Sequence, residues 1–312
     1  MAETFGGAPT GRGMYNSGRW GERVAVMTTA VQIEQEEPVL RVRFARNVAG
    51  TTLHSVCIHL IDGLLIDTGY RHCVPEALHV LARYRLEQIV NTHHHEDHIG
   101  ANAALTARYG LVPRIHPLGL PYIRNPGAIQ LYRRAIWGVP EPSDGLPLGD
   151  VVETEHHRFQ IIHTPGHAED HVVLLEERQG WLFTGDLFLS PRVKVASPFD
   201  DPWQILASLR KVQALDFDRL YCGHGQVFNG LAAKQALSER IWYWEWLADE
   251  ARRLRSQGLS VRGVRGRLLG PEPIMFYVTG GDFSKHRLVQ QLLRSPEESR
   301  RACLPSWELP GK

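Results

Sequence analysis

Along the chain the spacing of apolar positions changes period several times, and each change marks an element. After Val24 the period is two: "RVRF" at residues 41–44 alternates, and "SVCIHLIDGLLIDTG" at 55–69 joins two apolar runs through Asp62-Gly63. That pair predicts a hairpin, because a two-residue turn needs positive φ at its centre. The second run ends with Asp67 at a strand terminus. "VPEALHVLARY" at 74–84 carries Pro75 in a first turn and Val74, Leu78, Leu81 and Ala82 on one face, which predicts a helix. "LEQIVNT" at 86–92 reads as a short buried strand, and "ANAALTARYG" at 101–110 as a helix closed by Gly110.

Residues 117–149 are rich in Pro and Gly yet hold Tyr122, Ile129, Tyr132, Ile136 and Trp137, which predicts an excursion with one short helix that could wall a pocket. Strands resume in "FQIIHTPGH" at 159–167 and in "HVVLLEERQGWLFTGD" at 171–186, a hairpin turning near Arg178 to Gly180. "DPWQILASLRKVQAL" at 201–215 predicts a helix capped by Asp201 with Pro202 first, and "FDRLYCGHG" at 217–225 returns to a strand. The tail is different. Leu237, Ile241, Trp244, Leu247, Ala251 and Leu254 recur at helical spacing up to Gly258, and a further helix with Leu288 and Leu292 on one face follows a cap at Asp282 or Ser284. The tryptophans Trp242, Trp244 and Trp246 are expected beside a cleft, at a dimer face or, for at least half of them, in the core. Two β-rich stretches with helices between them suggest two sheets with helices outside, a topology that periodicity alone leaves open.

Composition narrows this only slightly. The 312 residues are 43% hydrophobic and 22% charged with a formal charge of +1, ordinary for a globular enzyme and no argument for nucleic acid. Residues 251–267 hold six arginines and no acid, a local phosphate-patch candidate or a solvated helix face. Cys57, Cys73, Cys222 and Cys303 have no Cys-x-x-Cys spacing, so neither a zinc ribbon nor a disulfide framework is expected, and a reducing cytoplasm fits best. There is no apolar run of membrane-spanning length and no secretory-type leader in "MAETFGGAPTGRG", so a soluble cytoplasmic protein with no membrane partner is expected.

Chemistry concentrates in "NTHHHEDHIG", residues 91–100. His93-x-His95-x-Asp97-His98 offers the imidazole and carboxylate ligands that borderline divalent metals prefer, and alternate residues of an extended segment reach one side. Two more histidines recur beside glycine: His167 in "HTPGH" and His224 in "CGHG".

With "LLIDTG" around Asp67 and "FTGDLF" around Asp186, these motifs appear in an order that resembles the metallo-β-lactamase superfamily of metallohydrolases over roughly residues 30–230. The resemblance implies an α/β protein with an αββα sandwich and, here, a C-terminal helical extension. It divides the chain into a flexible extension (1–23), a catalytic domain (24–235) and a helical cap or small subdomain (236–312). It also implies two divalent ions, zinc first with iron or manganese acceptable: His93, His95 and His167 on one, Asp97, His98 and His224 on the other, and Asp186 bridging. Asp97 and Asp186 are the carboxylates expected to act in catalysis, and Asp67 would orient the ligands or simply close a turn. A hydroxide shared by the ions would be the nucleophile.

Among the remaining histidines, His94 is expected to be exposed and unbound, His163 to support a ligand or be structural, and His171 to line the pocket, to hold a metal ligand in place or to do neither. His54, His59, His72, His79, His116, His156 and His157 lack metal-ligand spacing. Asp186 turns the resemblance away from β-lactam cleavage toward thioester hydrolases, lactonases and phosphodiesterases, and "HTPGHAEDHVVLLE" at 163–176 looks most like the acyl thioesterases and lactonases, which implies an acyl thioester of coenzyme A, carrier-protein or glutathione type, with a lactone or ester as the alternative small-molecule substrate. An RNA-processing nuclease, a mononuclear iron dioxygenase and a weakly active metal-binding sensor are the rival readings. A homodimer is compatible with the tail.

Overall fold

In the computed structural model, which describes residues 27–127, 129–295, 297 and 298, the hydrophobic pattern resolves into two packed sheets. The expected extension at 1–23 lies outside the described residues. The first half supplies β1 (Met27–Glu36), β2 (Val39–Val48), β3 (Thr51–Ile61), β4 (Leu64–Ile66), β5 (Gln88–Val90), β6 (Arg114–Ile115) and β7 (Leu146–Pro147), hydrogen-bonded in that order. β1 to β4 run antiparallel, and β5, β6 and β7 add on in parallel. Asp62 and Gly63 take φ of 47° and 80°, so Ile61 pairs with Leu64 as the hairpin pattern predicts. The second half supplies β8 (Val151–Glu153), β9 (Arg158–His163), β10 (Val172–Glu176), β11 (Trp181–Phe183), β12 (Arg219–Tyr221) and β13 (Val227–Asn229), in the order β13-β12-β11-β10-β9-β8.

Between the sheets, Ile61, Leu64, Ile66 and Val90 meet Phe159, Val172, Leu174 and Phe183 in one buried cluster. Helices cover the outer faces. The first sheet carries α1 (Val74–Leu81), α2 (Glu96–Ile99), α3 (Asn102–Tyr109), α4 (Leu120–Arg124) and α5 (Leu131–Ile136) in its connections. α6 (Pro202–Gln213), α7 (Gly230–Ser256), α8 (Val261–Leu269), α9 (Ile274–Val278) and α10 (Lys285–Leu292) follow, and α6, α7, α8 and α10 share one core with the outer face of the second sheet. The architecture is the expected αββα sandwich. Because both faces of the central strands are covered, β10 and the end of β3 are buried at successive residues instead of alternating.

Several expectations need correction. α1 ends at Leu81, so Ala82 is exposed and the buried face is Val74, Ala77, Val80 and Leu81. The excursion holds two short α-helices, α4 and α5, where one was expected. α7 begins at Gly230 and runs unbroken through residues 235 and 236. Trp244 is buried and donates its indole N–H to the Val193 carbonyl at 2.9 Å, whereas Trp242 and Trp246, one turn apart, are exposed and stack on each other. Core packing therefore claims one tryptophan of the three. Ser284, not Asp282, caps α10.

One buried imidazole sets a pH response for the fold. His59 on β3 lies against Phe183 and Tyr221, ring centroids 5.2 and 5.5 Å away, with Nε2 unpartnered. Burial, with a smaller contribution from Arg41, pushes its pKa down to about 3. The neutral form is favoured in the folded state, so its contribution is complete above the unfolded pKa near 6.5 and is lost as pH falls toward 3. Denaturant unfolding of the protein at pH 7, 6, 5 and 4 should lose roughly 1 kcal/mol per pH unit through this group, and His59→Leu should flatten the slope by about that amount. Equal slopes would contradict it.

Candidate metal centre

The candidate residues leave the carboxyl ends of strands from both sheets. Asp67 follows β4, the segment from Asn91 to His95 follows β5, His167 follows β9, Asp186 follows β11, and His224 follows β12. Open α/β sheets expose their loops at that edge. α2 turns the first segment back so that Asp97 and His98 face the second sheet, and its last residues lean on the Asp67 loop: Gly100 donates its N–H to the Gly69 carbonyl at 2.7 Å. A Cβ on Gly100 would come within 2.3 Å of the Tyr70 carbonyl carbon, so only glycine permits this approach.

His93, His95 and His167 form the first half of the cluster. His93 Nε2 and His167 Nε2 lie 3.1 and 2.9 Å from the same atom, His95 Nδ1. Hydrogen bonds on the far nitrogens assign the tautomers: His167 Nδ1–H donates to Asp200 at 2.9 Å, and His93 Nδ1–H to the Thr92 hydroxyl at 3.1 Å, which itself bonds Asp67. Two bare lone pairs thus converge on one nitrogen, which can share a proton with only one of them. Burial, followed by neighbouring imidazoles, holds His93 and His95 well below the ordinary histidine range, whereas at His167 burial is outweighed by Asp200 and Asp186, which raise it.

The second half repeats the problem with carboxylates. His98 Nδ1–H donates to Asp67 at 2.7 Å and His224 Nδ1–H to the Ser55 carbonyl at 2.5 Å, which turns both Nε2 lone pairs toward Asp186. Asp186 Oδ1 lies 3.2 Å from His98 Nε2 without hydrogen-bond geometry, and both atoms are buried and unpartnered. Its Oδ2 lies 2.9 Å from His224 Nε2 and 3.5 Å from His167 Nε2, so this one carboxylate reaches both halves. Asp97 Oδ2 is 3.9 Å from both His98 Nε2 and His224 Nε2. Burial opposes charging at His98 and His224, but Asp186 and its neighbours outweigh it, raising His98 well above its ordinary pKa and His224 to about 9. The site therefore asks for positive charge where lone pairs already point. Divalent cations meet both demands, and three ligand groups within 4.8 Å are available at His93/His95/His167, at His93/His98/Asp186 and at His54/Asp97/His224.

The last group contains a residue that carried no motif. His54 sits on β3, forty residues before the cluster, and its Nε2 lies 2.9 Å from Asp97 Oδ2. Only its place on a strand feeding the same edge distinguishes it in the sequence. Asp200 is a second such residue, holding His167 and accepting from the Ser197 N–H at 2.6 Å. His171 is more than a bystander: the Asp186 N–H donates to its Nε2 at 3.1 Å while its Nδ1–H reaches Thr164 at 2.9 Å, so it pins the backbone that presents Asp186. Burial, then His167, pushes it down to about 3, in keeping with that neutral tautomer. His94 is not free either. It points away from the cluster, bonded to buried Asp170 at 2.7 Å and stacked on Tyr122. His163 stacks on His116 and bonds the Glu169 carbonyl. The arginines of 251–267 lie elsewhere, and Arg252, Arg253 and Arg265 face Asp249, Glu250 and Glu272.

The sequence profile of the metallo-beta-lactamase superfamily matches residues 60–224, the span that holds the motifs. The chain belongs to the metallo-beta-lactamase superfamily. It is a metallohydrolase, and its relatives bear hydrolase names. A hydroxyacylglutathione hydrolase from Photobacterium profundum is 30% identical over 207 residues, 63% of this chain and 74% of the relative. An atrochrysone carboxyl ACP thioesterase from Aspergillus fumigatus is 31% identical over 178 residues, 55% of this chain and 50% of the relative, so the chain spans half of that protein. A beta-lactamase domain protein from Burkholderia ambifaria superposes with a TM-score of 0.66 at 15% identity over 87% of this chain and 88% of that one, a likeness of fold alone. In this superfamily member Asp67 makes the contact on which the others depend, accepting from the Thr92 N–H at 2.8 Å, the Thr92 hydroxyl and His98. Asp67→Asn should weaken metal binding about 10- to 100-fold in a competition titration with a chromogenic chelator. Unchanged affinity would reduce Asp67 to a turn residue.

Proposed function

We propose that the protein is a metal-dependent hydrolase that cleaves an acyl thioester. The observation that supports this reading is Asp186, whose two oxygens face His98 on one side and His224 and His167 on the other, so that two ions held by these histidines would share it. His93, His95 and His167 would hold one ion and Asp97, His98 and His224 the second. Two divalent ions there, zinc first with iron or manganese as alternatives, would polarise an acyl carbonyl and supply hydroxide at neutral pH. The names of two relatives, one for a hydroxyacylglutathione and one for an acyl-carrier thioesterase, support a thioester over other carbonyl substrates.

The chain's own groups do the positioning. Asp67, Asp200 and the Ser55 carbonyl each accept the Nδ1–H of a proposed ligand and so present Nε2 to the cluster. His54 hydrogen-bonds Asp97 from the rim and keeps that carboxylate turned inward. A cleft of about 260 Å³ opens over the cluster, where Tyr132, Trp137, Val193, Phe199 and Phe283 surround the reacting groups with apolar wall and limit water. Arg133 crosses this wall, bonded to Glu96 at 2.8 Å and lying over the Trp137 ring, which ties the excursion to α2.

Protein loaded with two equivalents of zinc should hydrolyse acyl-coenzyme A or acylglutathione faster than lactones, a penicillin or single-stranded RNA. Asp186→Asn should lower kcat roughly 100-fold and reduce the metal content. Failure to turn over any thioester in the panel would contradict the reading, and a lactone preference would reassign the substrate.

A further inference from the structure

Beside the metal cleft lies a second cavity of about 310 Å³. Leu53, Ile136, Trp137, Val195, Met275 and Phe283 form its walls, and the one titratable side chain on it is His54, whose Nε2 is already engaged with Asp97. His54, Trp137, Val195 and Phe283 line the metal cleft as well, so the two spaces meet at the edge of the cluster. A group bound with its carbonyl at the cluster therefore has an apolar space next to it.

We infer that this cavity is the acyl subsite and that it takes an unsubstituted apolar acyl chain of medium length. The inference rests on the thioester reading and names the substrate class that reading leaves open. At roughly 30 Å³ for each water-sized group, the cavity holds about ten non-hydrogen atoms, an acyl chain of about six to ten carbons. A hydroxyacyl group, as in the name of one relative, would bring a hydroxyl against walls that are apolar apart from His54, at a desolvation cost that an alkyl chain avoids.

The source of the walls sharpens the assignment. Met275 and Phe283 belong to the tail, beyond residues 60–224 that match the superfamily profile. The tail is held against the site at two points: Tyr132 bonds Asp282 at 2.5 Å, and Ala196 pairs with Ser284 through N–H to carbonyl contacts of 3.1 and 3.2 Å. Chain-length preference is thus a property that the C-terminal extension adds to the common metal site.

The zinc-loaded full chain tests this with a series of straight-chain acyl-coenzyme A esters from two to fourteen carbons, run beside a 2-hydroxyacyl ester. kcat/KM should rise about fourfold per methylene, peak between six and ten carbons and then fall, with the hydroxyacyl ester below its unsubstituted counterpart. Met275→Trp, which fills the cavity from a half-exposed position, should move the peak of the kcat/KM profile to shorter chains. Binding of hexanamide, octanamide and decanamide by calorimetry gives a readout free of turnover: affinity should grow with length to the same limit, with a negative heat-capacity change, and Met275→Trp should weaken the longer amides. A flat chain-length profile, or a Met275→Trp variant with the original profile, overturns the inference. Length-dependent amide binding without turnover of any thioester would contradict the hydrolase reading while supporting the cavity as an apolar-chain site.

Discussion

Imidazole nitrogens and carboxylate oxygens crowded into one buried space are the constraint on which this structure turns. His93 and His167 aim Nε2 at His95, and Asp186 aims its two oxygens at the Nε2 atoms of His98 and His224. Such an arrangement draws positive charge to itself, and it persists because four of the ligands are held from behind, His98 by Asp67, His93 by Thr92, His167 by Asp200 and His224 by the Ser55 carbonyl. Those supports are spread over two sheets. The sandwich is therefore the device that brings strand ends far apart in sequence to one edge.

The same constraint explains what could be read before the structure. Residues that bind through a fixed local spacing, His93, His95, Asp97 and His98, advertise themselves, and glycine-flanked His167 and His224 stand out once that spacing is noticed. Residues that act by supporting a ligand leave no local trace. His54 is one position of an alternating strand, Asp200 one acid in a loop, and His171 reveals its role only through the Asp186 N–H that it accepts. His94 was expected to lie outside the ligand set and does, but its place in the motif gives no hint that its ring bonds buried Asp170.

Secondary structure was legible where a period lasts long enough. The Asp62-Gly63 hairpin, the Gly110 stop and the Asp201 cap follow from local chemistry and occur as expected. The tail showed its helices but not their destination. Because Leu237, Trp244, Leu247, Leu288 and Leu292 share a core with Leu182 and Leu220 of the second sheet, the extension is packed as part of the sandwich. That packing carries Met275 and Phe283 to the apolar cavity beside the cleft.

The central claim is that seven side chains hold two ions with Asp186 between them. Crystals grown with zinc and measured on both sides of its absorption edge test this directly, because anomalous difference density locates the metal without reference to activity. The account predicts two peaks, one bounded by His93, His95 and His167 and one by Asp97, His98 and His224, with Asp186 contacting both. A single peak, or a second ion held by His54 with no contact to Asp186, would contradict it.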